Sequence, residues 1–312
     1  MAVVGSNEEI IERLKLIEPV EIKPGFLHLE LDPLTDSLKE KAKKELRETP
    51  EIVKEALAEI RKLIQDEADL IVPDNDYFLT QFLRPCKWYA KSAFALMKRY
   101  FRYLKNHPRY CENLVPKNER AIFATRILTP LPYRAKDGSR ILVLQGGKIW
   151  NPKEISVDQA IRGVLIFSTF ATSEPITQVN GVRCIVDLDG FSLNQVFYFK
   201  PSHAAVLAEW FQTAFPGRLR SIDIINQPYI FNMVFAIIKP FINEKYRNRV
   251  ILHGHDRKAL KACYGVESLP KQFGGEIDYQ LSESLDDSLY NYLCNFNKEF
   301  EELEKYGYSK ES

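Results

Sequence analysis

Most features that would announce a chemistry are missing from this chain. Cysteine is sparse: Cys86, Cys111, Cys184, Cys263 and Cys294 are odd in number, far apart and without a CxxC pair. That argues against both a disulfide framework and a zinc site. No apolar run reaches the roughly 18 uninterrupted residues a membrane-spanning helix needs. Neither sign of charge prevails, since 43 Lys and Arg stand against 42 Asp and Glu for a net charge of +1. No global field draws the chain to nucleic acid, and any basic surface must be local. Met1 to Glu9 lack the basic and apolar regions of a secretory signal, and Met1-Ala2 excludes the myristoylation pattern. A reducing, cytosolic setting is expected. GxGxxG, GxxxxGK[ST] and GxSxG are absent too, which removes the dinucleotide, P-loop and serine-hydrolase signatures. There is no internal repeat and no low-complexity tract.

What is present is a soluble, globular composition: 312 residues, 45% hydrophobic and 27% charged, enough for one large core plus a smaller unit. The chain can be arranged around residues 226–249. Pro228 suits a first helical turn, and Ile230, Val234, Ile237 and Phe241, with Phe231, Phe235, Ile238 and Ile242, recur at helical spacing. Lys239 is the only charge between Pro228 and Ile242. A helix this apolar either packs all round or covers an apolar content, and Lys245, Arg247 and Arg249 give its end a cationic character.

Ahead of it, a capping box at Ser37 and Glu40 predicts a Lys-rich helix to Arg47, and Thr49-Pro50 starts a second to about Leu70. A third runs from Asp76 and is halted at Arg84 by Pro85; an aromatic fourth spans Lys87 to Lys105. Such a bundle needs a partner surface. Past the Asp137-Gly138 turn, β-branched runs at 141–144, 182–186, 222–225 and 250–252 alternate with helical stretches at 157–170, 201–215 and the Pro228 segment. That order predicts a parallel sheet with right-handed crossovers. From Gly274-Gly275 onward a short strand and a surface helix over 286–304 are expected.

Three clusters invite a catalytic reading. His253-Gly254-His255-Asp256 places alternate histidines beside a carboxylate, the raw material of a metal site or of a turn closing a strand. Gly146-Gly147 could approach a phosphate or mark a turn, and Asp187-Leu188-Asp189-Gly190 ends a strand where α/β ligands often bind or where Asp caps a turn. With no convincing acid, base or nucleophile, the pattern favours binding over turnover. Arg218 and Arg220 before the third strand, and Arg247 and Arg249 before the fourth, could gather cations at one sheet end, suited to phosphate groups or simply solvated.

Several ordered motifs between about residues 35 and 300 resemble the CRAL-TRIO lipid-binding family, in its branch of tocopherol- and retinaldehyde-carrying proteins. They are residues 77–84 (YFLTQFLR), 180–190 (NGVRCIVDLDG), 215–220 (FPGRLR) leading into 224–228 (IINQP), 238–245 (IKPFINEK), 252–254 (LHG) and 269–275 (LPKQFGG). The resemblance implies an α/β fold: an N-terminal helical bundle (35–110), a mainly parallel sheet flanked by helices that encloses a lipid cavity under a helical lid (120–280), and a C-terminal helical tail (281–312). It assigns the cavity lining to Ile161, Val164, Ser168, Val186, Phe191, Leu207, Phe211, Phe215, Ile222, Ile238 and Ile242, with Ser168 as a polar handle. It assigns a basic cleft for phosphoinositide headgroups to Arg84, Arg218, Arg220, Lys245 and Arg249. Two positions depart from the family's pattern: Pro85-Cys86 interrupts the helix after Arg84, and Ala236 stands where the phospholipid-exchanging branch has a headgroup-binding lysine.

The expectation is a cytosolic, monomeric carrier of one small hydrophobic ligand, a tocopherol, retinoid or other isoprenoid-type lipid, meeting anionic membranes through the cleft. It would be no enzyme and would need no cofactor, metal or nucleic acid. Two alternatives stand beside it: a metal enzyme using His253, His255 and Asp256, and a phosphoinositide-reading regulatory module whose core is filled by its own side chains.

Overall fold

The computed structural model describes residues 7–22, 25–278 and 287–308. Helix α1 (Asn7–Lys15) and a two-stranded hairpin, β1 (Val20–Ile22) and β2 (Gly25–Leu27), precede anything the periodicity pointed to. Next come α2 (Asp36–Leu46), α3 (Pro50–Gln65), β3 (Leu70–Ile71), α4 (Asp76–Leu83) and α5 (Ala90–Asn106). Local signals explain most of these ends. Thr49 accepts from the Ile52 amide at 3.3 Å with Pro50 in the first turn, and Asn75 accepts from the Phe78 amide at 2.8 Å. The Ser37 box does not form; Thr35 caps α2 by accepting from the Leu38 amide. Arg84 keeps helical geometry in spite of Pro85, and the chain turns only at Lys87 and Trp88, whose φ angles of +54° and +61° delay α5 to Ala90.

Short helices α6 (Pro108–Cys111) and α7 (Arg120–Ala124) lead to the sheet. Its elements are β4 (Leu128–Arg134), β5 (Arg140–Gln145), α8 (Val157–Ser173), α9 (Pro175–Asn180), β6 (Val182–Asp187), α10 (Leu193–Tyr198), α11 (Pro201–Glu209, continued by a π-helical turn Trp210–Ala214), β7 (Leu219–Ile225), α12 (Phe231–Ile238), α13 (Glu244–Arg247) and β8 (Val250–Gly254). Strand order is β4-β5-β6-β7-β8, parallel from β5 to β8, as the alternating pattern required. The antiparallel edge strand β4 escaped notice because Pro130 and Pro132 interrupt it, which only an edge tolerates. The apolar helix α12 starts at Phe231, a turn later than Pro228 suggests, and ends in a 3₁₀ turn at Lys239–Phe241.

Beyond the sheet lie α14 (Lys258–Tyr264), α15 (Ser288–Cys294), α16 (Asn297–Leu303) and β9 (Gly307–Tyr308), the last paired with β3. The expected surface helix over 286–304 is two helices with a buried face: Leu289, Leu293, Phe296 and Phe300 join the main core beside Ile10 and Phe170. Residues 279–286 and 309–312, where the short strand and the ends of the tail were expected, lie outside the described residues.

The sheet separates two regions. Behind it, Ile141, Val143, Ile185 and Ile225 pack on Leu260, Tyr264, Leu269 and Phe273. In front lie α8, α11 and α12. The N-terminal helices find the partner surface they need at the end of α11, where Trp210 meets Tyr100 and Tyr103 with ring centroids 5.9 and 5.0 Å away.

Candidate functional site

Between the front face of the sheet and its helices is a cavity of about 340 Å³, within the range of small-molecule sites. Strand alternation directs Leu142 and Leu144 of β5, Cys184 and Val186 of β6, and Ile222 and Ile224 of β7 into it. Ile161, Val164 and Ser168 enter from one stripe of α8, because residues three, four and seven apart share a helical face. Leu207, Phe211 and Phe215 close one side; Phe191, Ile238 and Ile242 approach from the cover. All eleven positions expected to line a cavity thus surround this one.

Trp150, Phe199, Phe231, Phe235 and Val250 line it as well, and so do Leu27 at the end of β2, His28 and Leu29 just after it, and Tyr292 and Leu293 of α15. The period-two pattern of β5 would have found Leu142 and Leu144. No local signal could have found the wall supplied by the two ends of the chain. Burial pushes the Cys184 thiol up to about 12, so it remains protonated among these apolar neighbours.

Ser168 is in the wall, but its hydroxyl is engaged: it donates to the Val164 carbonyl at 2.7 Å and accepts from Trp210 Nε1 at 3.2 Å. A handle that must donate to a ligand is therefore not what Ser168 offers. The charge in the wall comes from Arg140 and Glu174. Burial alone would raise the Glu174 carboxyl, but Arg140 and Arg134 override it and hold it at about 2. Glu30 completes the group, 2.7 Å from Arg140 and 3.0 Å from Arg134.

The cover is α12. It buries Phe231 and Val234 against Leu188, Phe191, Val196 and Ile224, while Tyr229 just before it is 90% exposed and Met233 and Phe241 also face outward. Leu193 and Phe197 of the neighbouring α10 are exposed too, Phe197 at 75%. Gln212 holds the C-terminal end of the cover through Phe241 and Asn243, at 2.8 Å each.

The five expected cleft cations are not equivalent. Arg84 is only 8% exposed, and its guanidinium grips Glu48 at 2.6 and 2.8 Å and donates to Gln178. Its expected place in the cleft gives way to that of a buried structural cation. Arg218 and Arg220 share Glu45, at 2.8 and 3.5 Å, and donate to the carbonyls of Val179 and Asn180. Burial would raise the Glu45 carboxyl, but Arg218, Lys41 and Arg220 hold it below its ordinary value. Lys245 and Arg249 lie near the Tyr246 ring, and Lys245 is exposed. β7 and β8 run parallel with Ile222 opposite Val250, so Arg218, Arg220, Lys245 and Arg249 belong to the same sheet end.

The catalytic-looking clusters have structural partners. His253 Nε2 is 2.7 Å from buried Asp223, which also accepts from the Tyr264 hydroxyl at 2.6 Å and from Ser221. His255 faces Asn226 instead. Among the described residues no three His, Cys, Asp or Glu side chains could hold a metal ion together. Gly147 is where it is because a Cβ there would lie 1.9 Å from the Asp189 carbonyl oxygen, a backbone approach and not a phosphate cradle. Asp187 accepts from the Asp189 amide at 3.0 Å and from Asn226 at 2.8 Å, the work of a turn.

A mainly parallel sheet with an internal apolar chamber under a partly exposed helix defines a class of cavity-bearing α/β proteins. Residues 125–275 match the CRAL/TRIO domain. Alpha-tocopherol transfer protein-like from Homo sapiens is 31% identical over 260 residues, covering 83% of this chain and 75% of that protein. Clavesin-1 from Mus musculus is 30% identical over 254 residues, covering 80% and 71%. The crystal structure of Sfh5 overlaps 87% of this chain and 100% of that one at 17% identity with a TM-score of 0.48. The chain belongs to the CRAL-TRIO family.

Proposed function

We propose that this protein binds one small, largely apolar lipid of the tocopherol, retinoid or other isoprenoid kind in the cytosol and transfers it between membranes. The observation that carries the reading is the 340 Å³ apolar chamber under α12; a purely regulatory module would have no use for it. Enclosing about 400 Å² of apolar ligand surface at roughly 25 cal/mol per Å² contributes on the order of 10 kcal/mol before ordering costs. A hold that strong needs a release step. In this reading α12 swings outward at a membrane, and Tyr229, Met233 and Phe241, beside Leu193 and Phe197 of α10, supply apolar surface for the interface. Arg218, Arg220, Lys245 and Arg249 then meet anionic headgroups, phosphoinositides in particular, and favour the open state.

The names of the relatives support lipid transfer as the general activity: one is called tocopherol transfer protein-like. The test is organic extraction of the purified protein followed by mass spectrometry, with a vesicle-to-vesicle transfer assay on the extracted lipid. A stoichiometric lipid that moves between vesicles is the expected result. A chamber that neither retains a lipid nor takes one up from vesicles would end the proposal.

A further inference from the structure

Helices α8, α10 and α11 begin with the same device, and α11 differs in one respect. At α8 the side-chain oxygen of Gln159 accepts from the Ser156 amide at 2.9 Å, and at α10 that of Gln195 accepts from the Ser192 amide at 3.0 Å. At α11 the same position is held by His203, whose Nδ1 accepts from the Lys200 amide at 3.0 Å. Glutamine caps at every pH. Histidine caps only while Nδ1 is unprotonated, because the charged ring carries a hydrogen on both nitrogens and has no acceptor left.

The joint that this bond fixes is part of the chamber. Phe199 and Lys200 link α10 to α11, and Phe199 lines the chamber with Ala204 and Leu207 of α11. The Phe199 ring meets that of His203 edge-on, with centroids 5.8 Å apart. α10 in turn buries Val196 against Phe231 and Val234 of the cover, while its Leu193 and Phe197 are exposed. A loosened joint therefore loosens the cover.

His203 itself is only 5% exposed. The charged groups facing it among the described residues are Asp158 of α8, 3.3 Å from Nε2, Arg109 of α6, which donates to Asp158 at 2.7 Å, and Lys200. With Nδ1 accepting, Nε2 carries the hydrogen and points towards the Asp158 carboxylate. Burial lowers the ring's titration; Asp158 opposes it, Lys200 and Arg109 add to it, and the ring is held below its ordinary value of 6.5. When the joint loosens and the ring reaches water, that ordinary value returns. The loosened state then takes up the proton more readily and gains on the closed one as pH falls below about 6.5.

We propose that His203 is an acid-sensitive latch on the α10–α11 joint: protonation breaks its bond to the Lys200 amide, frees Phe199 and α10, and speeds release of the lipid from beneath α12. The inference rests on the carrier reading above and adds a trigger to it, since an anionic membrane surface concentrates protons as it does other cations.

The experiment follows diphenylhexatriene as it leaves the loaded full-length protein for phosphatidylcholine vesicles, whose own charge stays constant between about pH 7.4 and about pH 5.5. The parent should release the probe about three- to tenfold faster at the lower pH. His203→Gln installs the residue that caps α8 and α10, so release should stay slow at both pH values; His203→Leu removes the cap and should release fast at both. A parent rate that ignores pH, or a His203→Gln rate that still rises with acid, overturns the latch and leaves the carrier reading standing. Failure of the parent and both variants to take up the probe overturns both. Asp158→Asn withdraws the carboxylate that favours the charged ring, so the midpoint of the rise should move to lower pH, which a merely structural His203 would not produce; an unmoved midpoint refutes the ring as the titrating group. Whether or not the variants fold, NMR of the ring nitrogens in the parent should show His203 protonated at Nε2 alone at neutral pH, with a midpoint below 6.5. A hydrogen on Nδ1 at neutral pH overturns the cap.

Discussion

Arg84→Met separates a headgroup-binding arginine from a structural one. The substitution keeps the aliphatic stem and removes the guanidinium, which leaves Glu48 nearly buried with only the Trp88 indole N–H at 3.2 Å, and leaves the Gln178 carbonyl oxygen without its donor. Removing one partner of a pair this enclosed costs about 3 kcal/mol, against no more than about 1 kcal/mol for an exposed pair. Guanidinium titration followed by tryptophan fluorescence should show the unfolding free energy falling by that amount, read as a lower midpoint. Adding Glu48→Leu should restore much of the loss, because the uncompensated carboxylate goes with it. Transfer by the fraction still folded should stay near the parent's rate. If Arg84→Met left the midpoint unchanged while slowing transfer to phosphoinositide vesicles, the reasoning would be refuted and Arg84 would return to the cleft.

Replacing Arg218 and Arg220 by Ala should slow transfer to anionic vesicles with ligand affinity nearly unchanged; a parallel fall in affinity would show that the pair acts on the chamber. Glu45→Gln should do the opposite and strengthen vesicle binding at low salt, since Glu45 competes for both guanidinium groups; weaker binding would count against the cleft. Ser168→Phe should reduce ligand capacity in a binding titration and cost about 1–3 kcal/mol of stability, because Trp210 Nε1 loses its acceptor. Unaltered capacity would mean the ligand lies elsewhere. Glu174 is held at about 2 in the folded chain against an ordinary value of 4.5. It therefore contributes stability that is complete above about pH 4.5 and is lost as pH falls towards 2, on the order of 3 kcal/mol. Denaturation midpoints at pH 6 and pH 3 should differ less in Glu174→Gln than in the parent, and an equal difference would contradict the assignment.

How far the sequence could be read depended on the range of each signal. The strand and helix order from β5 to β8 was legible because hydrophobic period, proline position and capping residues act within a few residues of one another. Thr49-Pro50 marks its helix without help from the fold. β4 was not, because Pro130 and Pro132 are ordinary only on a sheet edge, and which strand is the edge is a property of the whole sheet. α1 and the β1–β2 hairpin were passed over too; their apolar residues are few and gain meaning only against the C-terminal helices.

The shared face of Ile161, Val164 and Ser168, and the alternation that directs Val186 and Ile222 to one face, follow from the sequence alone, since 3.6 and 2 residues per repeat settle which side chains share a side. Whether that side closes on other side chains or on empty space does not follow, because periodicity counts faces and not volumes. Nor do the partners of the cations: Arg218 meets Glu45 across 173 positions of chain, and Arg84 meets Glu48 across 36, so a headgroup ligand and a structural cation look alike until the chain has folded. Local spacing determined the elements and their faces. Only the tertiary structure decided that the faces surround a chamber, that the chain's two ends wall one side of it, and which cations are tied to carboxylates.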